Sequence, residues 1–185
     1  MALVRRRLLA ATTALAAGLV VAPTAAAAPL TEPLPVIECW RTASMLDGFV
    51  IGHVPRGVGG LRTDFSYEWE EVTFHSRVWE TGPDSEGHYS VDLTVKTLRG
   101  VRLSDLDAVR AFLTEYYEYD PAQWPLRPVK VGRYDGYRTH DQVFWFVSPG
   151  VAAAVTIDED KFPQSELTAT AHGFRPACDG PIPPA

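Results

Sequence analysis

The most regular alternation of apolar and polar positions lies between Phe65 and Leu98. Tyr89, Val91, Leu93 and Val95 alternate with Ser90, Asp92, Thr94 and Lys96. Upstream, Val72, Phe74 and Val78 alternate with Thr73, His75 and Arg77. A period of two with one apolar face predicts half-buried antiparallel strands. Between the two arms, Gly82, Pro83, Asp84, Ser85 and Gly87 supply turn chemistry. The segment therefore predicts a hairpin on which the rest of the chain packs. Just before it, Phe65, Tyr67 and Trp69 alternate in the opposite phase. A one-residue slip sends every side chain to the other face. The change of phase at Glu70-Glu71 thus predicts a β-bulge or a break between two strands.

Beyond the hairpin the period changes. From Ser104 to Tyr119 the apolar residues Leu106, Val109, Phe112, Leu113, Tyr116 and Tyr117 fall on one helical stripe. Ser104 suits the N-cap, with Asp107 three residues on, and Asp120-Pro121 stops the helix. Glu115, Glu118 and Asp120 gather at the negative end of its dipole, as an acidic surface or a site for a cation or basic partner. Val129 to Tyr134 reads as a strand closed by a turn at Asp135-Gly136. Gln142 to Val147 is almost continuously apolar, which predicts a strand buried on both faces. Ser148-Pro149-Gly150 turns the chain into a partner strand, Val151 to Asp158. Pro163 to Gly173 reads as a short helix with Leu167 and Ala171 inward. Near the start, Gly48 to Val54 is a strand. The run Gly57-Val58-Gly59-Gly60 after it lacks the Gly-Lys-Ser/Thr ending of a phosphate loop and reads as a connection. Strands grouped into hairpins, each group followed by a helix, predict an α+β fold. The expected form is a curved antiparallel β-sheet with two helices packed on one face.

The two ends add a compartment. Arg5, Arg6 and Arg7 precede an apolar run from Leu8 to Ala22, and Ala26-Ala27-Ala28 offers a small-residue cleavage site. This is the pattern of a signal peptide over residues 1–28, and it predicts a secreted, extracellular protein. The general secretory route fits better than the twin-arginine route. Residues 29–35 form a proline-spaced extended tail, residues 36–178 a single α+β domain, and residues 179–185 a disordered tail. No later stretch is long and apolar enough to predict a transmembrane segment. Cys39 and Cys178 sit near the two ends of the domain. In an oxidising compartment an even pair predicts a disulfide. Closing a loop of about 140 residues, it would contribute roughly 5 kcal/mol in the chain-entropy model.

Charge narrows the partners. The whole chain carries a net charge of −6. Loss of the three leader arginines lowers the basic count from 17 to 14 against 23 acidic residues, which gives −9. An acidic domain of this kind predicts no binding of nucleic acid through bulk charge. The histidines His53, His75, His88, His140 and His172 make no zinc-ligand spacing. No nucleophile motif occurs, so no catalytic residue, metal or cofactor is expected. The carboxylates Glu68, Glu70, Glu71, Glu80 and Asp92 lie on or beside the hairpin and keep open a hydrolase working with paired carboxylates. The aromatic residues say more. Trp79 lies on the polar phase of its strand and Trp124 in a loop between prolines. Both are candidate binding residues, as stacking platforms or protein-contact anchors.

The stretch Val131 to Phe174 includes GYRTHDQVFWFVSPGVAAAVTID and ELTATAHGF. It resembles exported bacterial proteins of the lipoprotein-carrier and sigma-regulator group, and the chain as a whole resembles secreted proteins of high-GC bacteria. The resemblance implies a curved half-barrel sheet that holds lipid tails or contacts another protein; it transfers no functional residue. The lipidation cysteine of many such proteins has no counterpart here. The expectation is a secreted, non-enzymatic binding domain of unknown ligand or partner, with a hydrolase or a structural envelope protein as alternatives.

Overall fold

The computed structural model describes residues 44–177. The signal pattern, the tails, Cys39 and Cys178 lie outside the described residues, and with them the expected disulfide. The elements run β1 (Met45–Leu46), β2 (Phe49–Ile51), β3 (Leu61–Trp69), β4 (Val72–Thr81), β5 (Ser90–Arg99), α1 (Leu106–Tyr116), β6 (Arg127–Val131), β7 (Tyr134–Arg138), β8 (Gln142–Ser148), β9 (Val151–Ile157), α2 (Gln164–Gly173) and β10 (Phe174–Pro176). Seven strands form one curved antiparallel sheet in the order β3-β4-β5-β9-β8-β7-β6, and β1-β2-β10 form a small second sheet. The fold is α+β.

The hairpin β4–β5 stands inside the large sheet, flanked by β3 and β9. The change of phase at Glu70-Glu71 is a break between strands. Trp69 pairs with Val72 across a two-residue turn in which Glu70 (φ 47°) and Glu71 (φ 63°) both take the left-handed region. Such turns match the twist of the flanking strands but favour Asn-Gly. Here the strand pairing on either side imposes the turn on two glutamates.

Alternation assigns each residue to a face. Val72, Phe74, Leu98, Phe144, Ala152 and Ala154 face α1 and pack with its buried Val109, Phe112 and Leu113. Trp79, Leu93, Val95, Val143, Trp145, Ala153 and Val155 face the other way. They pack with Leu167 and Ala171 of α2 and with Phe49, Ile51 and Phe174 of the small sheet. The helices therefore lie on opposite faces, where the sequence predicted both on one. The reason is visible in β9: Ala152 and Ala154 make room for one helix while Ala153 does so for the other. Fully burying one side chain such as Phe112 contributes about 1.5–3 kcal/mol, so each layer is anchored by several such residues.

Local boundaries also move for physical reasons. Asp105, not Ser104, caps α1, accepting from the Ala108 N–H at 2.8 Å. The helix ends at Tyr116 because Glu118 turns left-handed (φ 54°), ahead of Asp120-Pro121. The β6–β7 turn falls at Gly132 (φ 59°) and Arg133. Gly136 instead lies within β7, opposite Trp145, where any Cβ would meet the Phe144 carbonyl and the Trp145 side chain. No helix among the described residues is long and apolar enough to cross a membrane.

Candidate functional site

The register of the large sheet lines up residues from successive strands. One row on the α1 face reads Phe65, Ser76, Lys96, Ala154, Phe144, Tyr137. The next reads Thr63, Val78, Thr94, Thr156, Gln142. The C-terminal end of α1 and the chain after it bring aromatic rings over these rows. Tyr116 stacks on Phe74 with ring centres 4.8 Å apart, and Tyr67 stacks on the same ring at 4.8 Å. The Tyr67 and Tyr116 hydroxyls share a hydrogen bond of 2.6 Å. Tyr119 lies against both Tyr117 and Trp124, and Trp124 stacks on Phe144 at 5.5 Å.

Lys96 rises from the middle of this wall and is half-buried. Its Nζ donates to the Tyr117 hydroxyl at 3.3 Å and lies 5.6 Å from the centre of the Tyr117 ring, a cation–π contact. The same hydroxyl accepts from Gln142 Nε2 at 2.8 Å, and Gln142 Nε2 also reaches Thr156 Oγ1 at 3.4 Å. Among the described residues no carboxylate pairs with Lys96. Burial pushes its ammonium below the ordinary lysine range. Burial likewise pushes the Tyr117 hydroxyl up to about 12, and burial followed by the hydrogen bond with Tyr116 raises Tyr67. These phenols keep their protons at neutral pH, so Tyr117 accepts two hydrogen bonds and still has one to donate. Directly opposite Lys96, Ser76 is fully buried and its Oγ has no hydrogen-bond partner. The site thus combines an ammonium, two hydroxyl donors and an aromatic wall.

Other polar groups near the sheet are already matched. Arg77, 6% exposed, meets Asp64 through two bonds of 2.6 Å and the Met45 carbonyl at 3.1 Å. The bond from Arg77 holds the Asp64 carboxyl below the usual range. Arg99 and Thr97 both donate to Asp47. Asp92 is 1% exposed beside the irregularity in β4–β5 pairing at Trp79/Glu80. Its Oδ2 accepts from Lys161 Nζ (2.7 Å), Thr81 Oγ1 (2.6 Å) and the Gly59 N–H (2.6 Å). Burial alone would raise this carboxyl; the bonds from Lys161, Thr81 and Gly59 outweigh it and hold it low. The glycine-rich loop is therefore pinned to the hairpin.

The residues singled out from sequence do not share one place. Trp79 is 8% exposed and packs in the core beneath α2, so it is not an exposed platform. The polar phase of β4 is covered by a second layer, which phase alone could not show. Trp124 is half-buried beside the α1 cluster and borders the Lys96 wall. Of the carboxylates, Glu68 is on β3, Glu70 and Glu71 form the turn, Glu80 lies near the end of β4, and Asp92 is taken by Lys161. The histidines are dispersed: His53 meets Glu166, His75 approaches Asp47, His88 meets Asp84 and Glu86, His140 meets Glu159, and His172 accepts from the Gly132 N–H.

Sequence reasoning passed over Lys96, Ser76, Tyr117 and Gln142 as binding groups. A signal existed for Ser76, a polar residue between Phe74 and Val78 in the apolar phase of β4. Lys96 shares its phase with Leu98, which is equally out of pattern. Comparisons of the chain with protein-family models, with curated proteins and with solved structures return no match. The resemblance over Val131 to Phe174 therefore rests on its sequence pattern alone.

Proposed function

We propose that this is an exported, non-enzymatic binding domain that takes its ligand on the α1 face, at the wall formed by Tyr67, Tyr116, Tyr117 and Trp124. The observation that carries the reading is Lys96, a half-buried cation that among the described residues meets a phenol hydroxyl and ring and no carboxylate. An ammonium withdrawn from water without a counter-charge costs stability. A binding site gives that cost a use, because a ligand that completes the site recovers it. The leader pattern of residues 1–28 supports export, and a Cys39–Cys178 bridge would then tie the two ends of the domain together.

A thermal-shift screen of the purified protein tests the reading. A ligand present at about a hundred times its dissociation constant adds about 2.7 kcal/mol. The expected result is stabilisation by at least one small ligand that also perturbs β5 and the end of α1 in amide spectra. Stabilisation confined to residues of the opposite face would contradict it.

A further inference from the structure

Three features of the α1 face limit what can sit there. The first is the set of donors. Lys96 Nζ has hydrogens left after its single bond to Tyr117, the Tyr117 hydroxyl has a proton to give, and the buried Ser76 Oγ is unpartnered on the strand beside Lys96. An acceptor-rich, negatively charged group satisfies all three. The second is the charge. One cation serves the site in a chain of net charge −6. A dianion would keep an uncompensated charge in a half-buried place and would meet the repulsion of the whole acidic surface. The third is the wall. Phe65, 45% exposed, continues the Lys96 row at one end, and the rings of Tyr67, Tyr116 and Tyr117 stand beside it. That surface suits an apolar or aromatic body.

We infer that the ligand of this face is a monocarboxylate carried on an apolar body, with its carboxylate held by Lys96, Ser76 and Tyr117. This rests on the binding reading above and gives that site its ligand class. Ser76 and Tyr117 supply neutral donors that fix where the carboxylate lies. Lys96 supplies the charge that separates an acid from the corresponding alcohol.

The test is titration of the purified protein with octanoate and with octanol, followed by calorimetry and by amide resonances of β5 and the α1 C-terminus. Octanoate is expected to bind at least about tenfold more tightly than octanol, the scale of one charged hydrogen bond. Lys96→Met should bring octanoate to the level of octanol and leave octanol unchanged, with a melting temperature at or above the wild type showing that the variant folds. Ser76→Ala, which keeps the charge, should weaken octanoate several-fold. Equal binding of acid and alcohol at these resonances, or octanoate binding unmoved in Lys96→Met, overturns the carboxylate assignment and leaves the binding face standing. Tighter binding of inorganic phosphate than of octanoate overturns it equally. If neither octanoate nor octanol moves any resonance on the face, the ligand class is wrong; a different small ligand found there by the wider screen would preserve the binding reading.

Discussion

On the face that carries the small sheet and α2, Arg77 reaches Asp64 through two short bonds and Arg99 reaches Asp47. On the face that carries α1, Lys96 reaches the hydroxyl and ring of Tyr117 and, among the described residues, no carboxylate. Cations on both faces meet carboxylates, Arg102 meeting Glu115 beside α1, but among the described residues Lys96 is not matched in this way. Asp92 and Lys161 follow the first pattern, with three donors around Asp92 Oδ2 in hydrogen-bond range. A matched pair is part of what holds a layer in place. The proposed binding reading gives Lys96 the complementary role, a cation whose counter-charge comes with the ligand.

The sharpest way to probe the contrast is to damage the matched side. Trp79→Ala removes a ring buried among Leu93, Val95 and their neighbours. It should cost about 4 kcal/mol in denaturant melts and leave ligand binding on the α1 face intact in the folded fraction. A near-neutral melt would return Trp79 to the role of an exposed anchor.

Asp92→Ala comes next, with an expected loss of about 3 kcal/mol, because three donors lose their acceptor. Its acid dependence follows from the same site. The Asp92 carboxyl is held below its ordinary value, so its stabilisation is complete above the ordinary carboxylate range and is lost as pH falls through the depressed value. Asp64 behaves likewise through Arg77. Melts between about pH 5 and pH 2 should show this loss, shallower in Asp92→Asn.

The smallest effect has the opposite sign. Lys96→Met should raise stability by about 1 kcal/mol, since an apolar chain of similar length replaces a partly desolvated charge. A destabilised Lys96→Met that otherwise folds would mean that the contact with Tyr117 outweighs the desolvation.

How far the sequence carried depends on whether a property is local. The hairpin β4–β5, the break at Glu70-Glu71, the pair β8–β9 and α2 were legible because periodicity and turn residues fix them within a few positions. The strands β1 and β10, two and three residues long, are too short to show a period. The opposite placement of the helices was not legible, because alternation tells which residues share a face but not whether the polar face is covered. Arg77 and Trp79 look solvent-facing by phase and are buried beneath a second layer. The same limit hid the site. Ser76 and Lys96 stand opposite each other only through pairing across strands, and Tyr117 joins them only because α1 ends above that row.

The central claim is that Lys96 has no counter-charge of its own and gains one from its ligand. The most direct measurement is the NMR titration of the Lys96 side chain, assigned by its loss in Lys96→Met, with and without octanoate. The titratable group that touches it is Tyr117, whose phenol burial pushes up to about 12. The account predicts an ammonium that loses its proton below the ordinary lysine value in the free protein and shifts upward when octanoate binds. By linkage, affinity is then constant from above the carboxylate range of octanoate up to the free-state value and falls as pH rises from there to the bound-state value. An ordinary lysine titration that octanoate leaves unmoved would contradict it.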